Sequence, residues 1–243
     1  MNRWILTIPL LLPFIYAHAL STTQIHHSTR ADMVGFAAEL RVIENHLGEL
    51  GSGIRDQLVP IEVQYYSFTD NTCNKIDTTR LYAGILIVHS CLVDDVKAIF
   101  NEMKRDRFPI AKVIPINCYG LNADSTGWND AASMADNNTS AFNYRSRPTS
   151  PNISKHTQGI AIDINPLLNP CTTAGPNGTI VEPPSGTYVP GRRGTLIANE
   201  ILAIIGKYGW SWGGLWPKPK DLQHIEKTKG RCEHMEFSNV LRQ

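Results

Sequence analysis

The 243-residue chain carries almost no net charge, +1 from 23 basic and 22 acidic side chains. No basic excess therefore points to nucleic acid, and no acidic tail points to disorder. Beyond the first twenty residues no apolar run is long enough for a transmembrane helix. No internal repeat and no low-complexity tract occurs, which excludes a repeat array. The five cysteines, Cys73, Cys91, Cys118, Cys171 and Cys232, include no CxxC pair, which argues against a cysteine-based zinc site. Their odd number leaves at least one free thiol or an intermolecular bridge, and spacing does not give the pairing.

What is present suffices for one well-packed domain: 42% of the residues are hydrophobic. The N-terminus has a positive Arg3, a short apolar run over 4–16, and the small-x-small triplet Ala17-His18-Ala19. This reads as a secretory signal peptide cleaved after Ala19. The mature protein is then expected in an oxidising compartment, secreted or periplasmic, without stable membrane insertion. Asn137, Asn138, Asn152 and Asn177 head N-x-S/T sequons, which matter only in a host that glycosylates.

Periodicity supplies the elements. Phe36, Leu40, Val42, Ile43 and Leu47 fall on helical spacing, with Gly51-Ser52-Gly53 ending that helix. Residues 61–68 (IEVQYYSF) and 84–89 (GILIVH) read as strands. Residues 93–107 form an amphipathic helix, with Asp94 and Asp95 in its first turn and an apolar stripe of Val96, Ile99, Phe100 and Met103. A further strand is expected over 112–116. The Asn- and Ser-rich stretch 123–151 and the Pro- and Gly-rich stretch 169–193 read as long loops. Between them, 160–164 is a strand that turns Ile160, Ile162 and Ile164 to one side and Asp163 to the other. A helix over 194–208 and a strand in GWSWGGLW (209–216) complete the reading. The irregular alternation favours α+β over a doubly wound parallel fold.

Two places carry chemistry. In SKHTQGIAIDINP, 154–166, His156 and Asp163 flank Gly159, whose freedom allows the sharp turn that brings an imidazole beside a carboxylate. In KDLQHIEK, Asp221 and His224 are three apart, which a tight turn places on one side. A metal-dependent hydrolase needs three protein ligands, an open position for water, and a base. His224 would complete a His/Asp/His set, with Asp221 near the water without being a ligand. His26, His27, His46 and His89 have no such company and read as structural or solvent-facing. His234 repeats the His-x-Glu pattern but has Arg231 where the aspartate should stand.

Ser154, His156, Gly159, Ala161 and Asp163 reproduce an SxHxxGxAxD motif, and Asp221, His224, Ile225 and Glu226 a D-x-x-H motif followed by an apolar residue and Glu. Together they resemble the zinc D-alanyl-D-alanine carboxypeptidases and L-alanyl-D-glutamate endopeptidases, the VanY-like peptidoglycan peptidases, over roughly residues 60–228 as one domain-sized block. The resemblance implies a single α+β domain of the hedgehog/DD-peptidase type, with a central, mainly antiparallel sheet flanked by helices and long active-site loops. It implies Zn²⁺ on His156, Asp163 and His224, with Asp221 as general base. An arginine upstream of the first ligand would hold the carbonyl oxygen or substrate carboxylate; Arg145 in FNYR is the choice, with Arg147 behind it. Ser154 would hold the substrate or support the ligands, and Glu226 would orient a ligand. Ile225 stands where the family often has an aromatic residue.

The expected layout is a signal peptide over 1–19, an N-terminal helical extension over 20–58, and the zinc peptidase domain over 59–243. The expected substrate is the stem peptide of peptidoglycan, cut as a carboxypeptidase or an endopeptidase, by a monomer that binds no nucleic acid. Two rivals stand beside this. A non-catalytic zinc-bearing module of the hedgehog-like fold would keep the ligands without turnover, though retention of Asp221 argues against it. A non-haem iron oxygenase also uses two His and one carboxylate, but usually with a tight H-x-D spacing.

Overall fold

The structure, a computed structural model, describes residues 23–145, 154–229 and 241–242. The expected signal peptide, Arg147 and His234 lie outside the described residues.

The chain opens with β1 (Thr23–His26), α1 (Phe36–Leu47), β2 (Glu49–Leu50) and the helical turn α2 (Ser52–Arg55). Leu40 and Ile43 are the buried side chains of α1 expected from its spacing, whereas Val42 faces solvent. The helix stops earlier than Gly51: Gly48, at φ 98°, caps it after Leu47, and Ser52 starts α2.

Next come β3 (Leu58–Phe68) and β4 (Ile76–His89), a long antiparallel pair, with β1 adding in parallel to the other edge of β4. Both strands run beyond the apolar segments that announced them. Side-chain alternation on β4 divides two cores. Leu86 and Val88 join a main core with Val96, Ile99 and Phe100 of α3 (Val93–Arg105). Ile87 faces the other way, into a second core with Leu40, Ile43, Trp128 and Phe142. Each such buried side chain contributes roughly 1.5–3 kcal/mol.

The expected strand at 112–116 is only β5 (Lys112–Val113), followed by a 3₁₀ turn at Ile116–Tyr119. The polar stretch after it contains α4 (Asp130–Ala135) and β6 (Asn138–Thr139), and residues 137–144 are buried throughout. This segment bridges the sheets. Phe142 N–H donates to the Ile87 carbonyl at 3.0 Å, and Ser140 exchanges backbone bonds of 2.9 and 3.1 Å with Asp163.

β7 (Ala161–Asp163) therefore has backbone partners on both edges, residues 224–226 on one side and the Ser140 bridge on the other, and every residue in it is buried. The stretch expected to be loop at 169–193 includes a hairpin, β8 (Cys171–Gly175) and β9 (Gly178–Glu182). α5 (Ala198–Ile205) packs Ile201 and Ile205 into the main core beside Trp210 and Trp212 of β10 (Trp210–Trp212). β11 (Lys220–Asp221) and β12 (His224–Lys227) follow, and the backbone of β13 (Leu241–Arg242) pairs with β2.

The result is mixed α and β, but the strands form several small sheets rather than one central sheet. β1-β4-β3, β10-β12-β7 and β11-β8-β9 each have three strands, and β13-β2 and β5-β6 have two. Cys91 is disulfide-bonded, while Cys73, Cys118 and Cys171 are free thiols. Among the described residues no helix is long and apolar enough to cross a membrane.

Candidate metal centre

Two of the small sheets meet at the site. In β10-β12-β7, β12 pairs antiparallel with β7 so that His224 lies directly opposite Asp163. The next pair, Ile225 opposite Ile162, points into the main core, so the residue that departs from the family pattern faces away from the site.

His156 arrives from the turn before β7. Ser154 Oγ accepts from the His156 N–H at 3.3 Å, and Gly159 N–H donates to the His156 carbonyl at 2.9 Å. Gly159 adopts φ +68°, and a Cβ there would stand 2.8 Å from the His89 nitrogen. Its left-handed backbone and the close approach of β4 both require glycine. The turn swings His156 back over the end of β7.

The three side chains converge. His156 Nε2 lies 3.2 Å from Asp163 Oδ2 and 3.1 Å from His224 Nδ1, and His224 Nδ1 lies 3.1 Å from Asp163 Oδ1. All three residues are buried. Outer partners fix which ring nitrogen faces inward. His156 Nδ1–H donates to the Ala141 carbonyl at 2.7 Å, and His224 Nε2–H donates to Glu226 Oε2 at 3.1 Å. When both rings are neutral, as a bound metal requires, their inward nitrogens are bare lone pairs.

Three electron-pair donors thus converge in a buried space, an arrangement that repels itself unless a proton or a cation sits among them. The spacing suits a cation: ligands around a tetrahedral zinc with bonds of 2.0–2.1 Å stand about 3.3–3.4 Å apart. Two imidazoles and one carboxylate are also a common zinc donor set.

The electrostatics point the same way. Burial alone would raise the Asp163 carboxyl, but the charge of His156 and hydrogen bonds from both imidazoles hold it well below the usual range. Burial alone would depress His224, but the Asp163 and Glu226 carboxylates outweigh it and push the imidazole up to about 10. The site therefore favours positive charge between these groups.

Asp221 ends β11 and reaches the same space from the other sheet. Burial, then the Asp163 charge, push its carboxyl up to about 6. Its Oδ1 is buried with no hydrogen-bond partner among the described residues, an acceptor left for something that enters the site. Gly213, in the 3₁₀ turn Gly213–Leu215, lets β11 and β12 come together: a Cβ there would stand 2.6 Å from the Asp221 carbonyl oxygen and 3.3 Å from His224 Cβ. The Trp216 ring lies 5.2 Å from the His224 ring and forms a wall of the site.

Residues 148–227 match the family described as D-alanyl-D-alanine carboxypeptidase. This is the zinc peptidase family that the two motifs resemble. The matched segment contains His156, Asp163, Asp221, His224 and Glu226, and Arg145 lies just outside it. Comparison with curated proteins and with solved structures gives no match.

Arg145 follows the bridging segment. Its Nη1 bonds Asp130 Oδ2 at 3.0 Å, and its side chain is 41% exposed. The Asp130 charge is the largest influence raising its pKa, and Asp163, Glu182 and Asp221 add to it, so the guanidinium borders the site rather than filling it. Sequence reasoning missed Asp130, which lies in a polar run with no pattern to single it out. It also missed the Ala141 carbonyl, a backbone group that no side-chain motif reveals. The hairpin β8-β9 had one signal, the Asn177-Gly178 turn dipeptide.

Proposed function

We propose that this protein is a zinc-dependent peptidase that hydrolyses D-amino-acid-containing peptide bonds of bacterial peptidoglycan. The observation that carries the reading is the convergence of His156, Asp163 and His224 within hydrogen-bond distance of one another, beside a buried Asp221 with an unpartnered oxygen. The family match to residues 148–227 supports the substrate class.

His156 Nε2, an oxygen of Asp163 and His224 Nδ1 would hold the zinc. When bound, zinc lowers the pKa of a coordinated water towards about 7 and polarises the scissile carbonyl. Asp221 accepts the proton of the attacking water on its free oxygen and returns it to the leaving amine. Arg145 donates to the developing oxyanion or to the substrate's terminal carboxylate. Glu226 and the Ala141 carbonyl hold the two imidazoles in register, and Ser154 holds the turn that carries His156.

The N-terminal residues 1–19 are proposed as a cleaved signal peptide, which puts the mature enzyme, a monomer, in the periplasm or outside the cell. Residues 59–243 are proposed as the peptidase domain and 20–58 as its extension. Within the extension, α1 packs on the same core as Trp128 and Phe142.

The test is incubation of zinc-loaded mature protein with pentapeptide monomers and cross-linked dimers, read by mass spectrometry beside Asp221→Ala. Loss of one terminal D-Ala, absent in the variant, defines a carboxypeptidase. Dimer splitting or an internal cut defines an endopeptidase. If zinc binds and no muropeptide is cut, the chain is a non-catalytic zinc-bearing module instead.

A further inference from the structure

The sheet β11-β8-β9 extends the site in a direction that no motif describes. Asp221 lies directly opposite Cys171, and Cys171 lies directly opposite Glu182. Residues directly opposite in antiparallel pairs share one face of the sheet. Asp221, Cys171 and Glu182 therefore form a row across three strands that starts at the proposed base. Two strand spacings separate its ends, about 10 Å. The thiol in the middle reports the common environment: burial, then the Asp221, Glu182 and Asp163 charges, push Cys171 up to about 12.

The far end of the row has two features. Glu182 is exposed, and its carboxylate has no hydrogen bond or ion pair among the described residues. Arg145, whose guanidinium feels the Glu182 charge, forms its ion pair with Asp130 instead. Two positions before Glu182 on β9, and so on the same face, Ile180 is 52% exposed. An open apolar side chain beside an uncommitted carboxylate matches an aliphatic stem that ends in a positive charge.

We propose that Glu182 is a specificity-determining residue that binds the ammonium of a lysine-like side chain on the substrate, with Ile180 against its methylene stem. This rests on the peptidase reading given above. The distance fits: one residue step of about 3.3 Å along an extended substrate, plus a four-carbon stem, spans the row from the reacting bond. The predicted substrate class is a stem peptide whose diamino residue has a free primary amine and directly precedes the reacting pair.

The test uses the muropeptide that the wild-type enzyme cleaves, in two forms: with the diamino side chain free, and with it Nε-acetylated. Wild type should favour the free amine in kcat/KM by about five- to tenfold, mainly through KM, the size of one charge-assisted hydrogen bond at a partly open site. In Glu182→Gln that ratio should fall to near one, and in Glu182→Lys it should invert. Glu182 is exposed, so both variants should keep the wild-type melting temperature. Equal kcat/KM for the two forms in wild type overturns the Glu182 assignment and leaves the peptidase reading standing. An unchanged ratio in Glu182→Gln does the same. Failure of the wild type to cut any muropeptide overturns both.

Discussion

His224 and Asp163 face each other across the antiparallel pairing of β12 with β7, with Nδ1 3.1 Å from Oδ1. Two of the three candidate ligands are therefore set by strand register alone, and only His156 depends on a turn. A slip of one residue would send His224 to the opposite face, where Ile225 now sits in the core. The apolar packing of Ile162 and Ile225 is thus what holds the polar pair in place.

Glu226 carries a first prediction. Burial alone would raise its carboxyl, but the His224 hydrogen bond together with the His224, Lys155 and His156 charges holds it below its usual pKa, and it is the only partner of His224 Nε2 among the described residues. Glu226→Gln should weaken zinc affinity by about 10–100-fold in a chelator competition. Removing the metal from the wild type should lower its melting temperature, because three inward donors lose the cation between them. Equal zinc affinity in Glu226→Gln and wild type would refute the orienting role.

Gly213 offers a sharper steric test. Its missing Cβ makes room for both Asp221 and His224, and the nearest obstruction is backbone, which cannot swing aside as a side chain tip would. Gly213→Ala should cut kcat by about 100-fold through displacement of Asp221, the proposed base, by something near 1 Å. Circular dichroism should stay native. Wild-type kcat in this variant would mean that the turn is loose enough to yield.

Much of the candidate site was legible in the sequence because its parts are local: a turn glycine between His156 and Asp163, and a three-residue spacing between Asp221 and His224. The elements with clear apolar periodicity, such as α3 with Val96, Ile99, Phe100 and Met103, were equally plain. The misreadings share a cause. Residues 137–144 are buried, with Phe142 bonded through its backbone to Ile87 and Ser140 to Asp163, in a run that includes polar residues such as Asn138 and Asn143, which composition assigns to loops. The hairpin β8-β9 is largely open to solvent, so it shows no apolar stripe, and its Pro and Gly suggested a loop. The division into small sheets also follows from contacts distant in sequence, which no local pattern contains.

Asp130 is the partner that keeps Arg145 at the border of the site, at 3.0 Å. Asp130→Ala should leave the guanidinium free to wander, and KM for the cleaved muropeptide should rise by about tenfold, the size of one charged hydrogen bond. If Arg145 instead has no contact with substrate, Asp130→Ala and Arg145→Ala will both give wild-type KM values. Agreement between the two variants in a raised KM would tie Asp130 to substrate binding through Arg145.

His27, outside the candidate metal centre, is expected to set a pH dependence of stability. Its Nδ1 lies 2.7 Å from Tyr65 Oη, and its ring lies 4.8 Å from that of Tyr82. Burial, then the nearby Lys112 charge, lower its pKa to about 4, against a weaker opposing pull from Asp136. The unfolded chain binds this proton near pH 6.5, the folded chain only near 4. The contribution is thus fully present above about pH 6.5 and is lost as pH falls from there towards 4. Discounted for the partial exposure of the ring, the loss is roughly 1–2 kcal/mol. His89, also lowered by burial, acts in the same direction. Melting temperatures at pH 7.5 and pH 5 should therefore fall further in wild type than in His27→Gln, whose amide can still bond Tyr65 but does not titrate. Equal drops in the two proteins would show that His27 takes up its proton without cost in the fold.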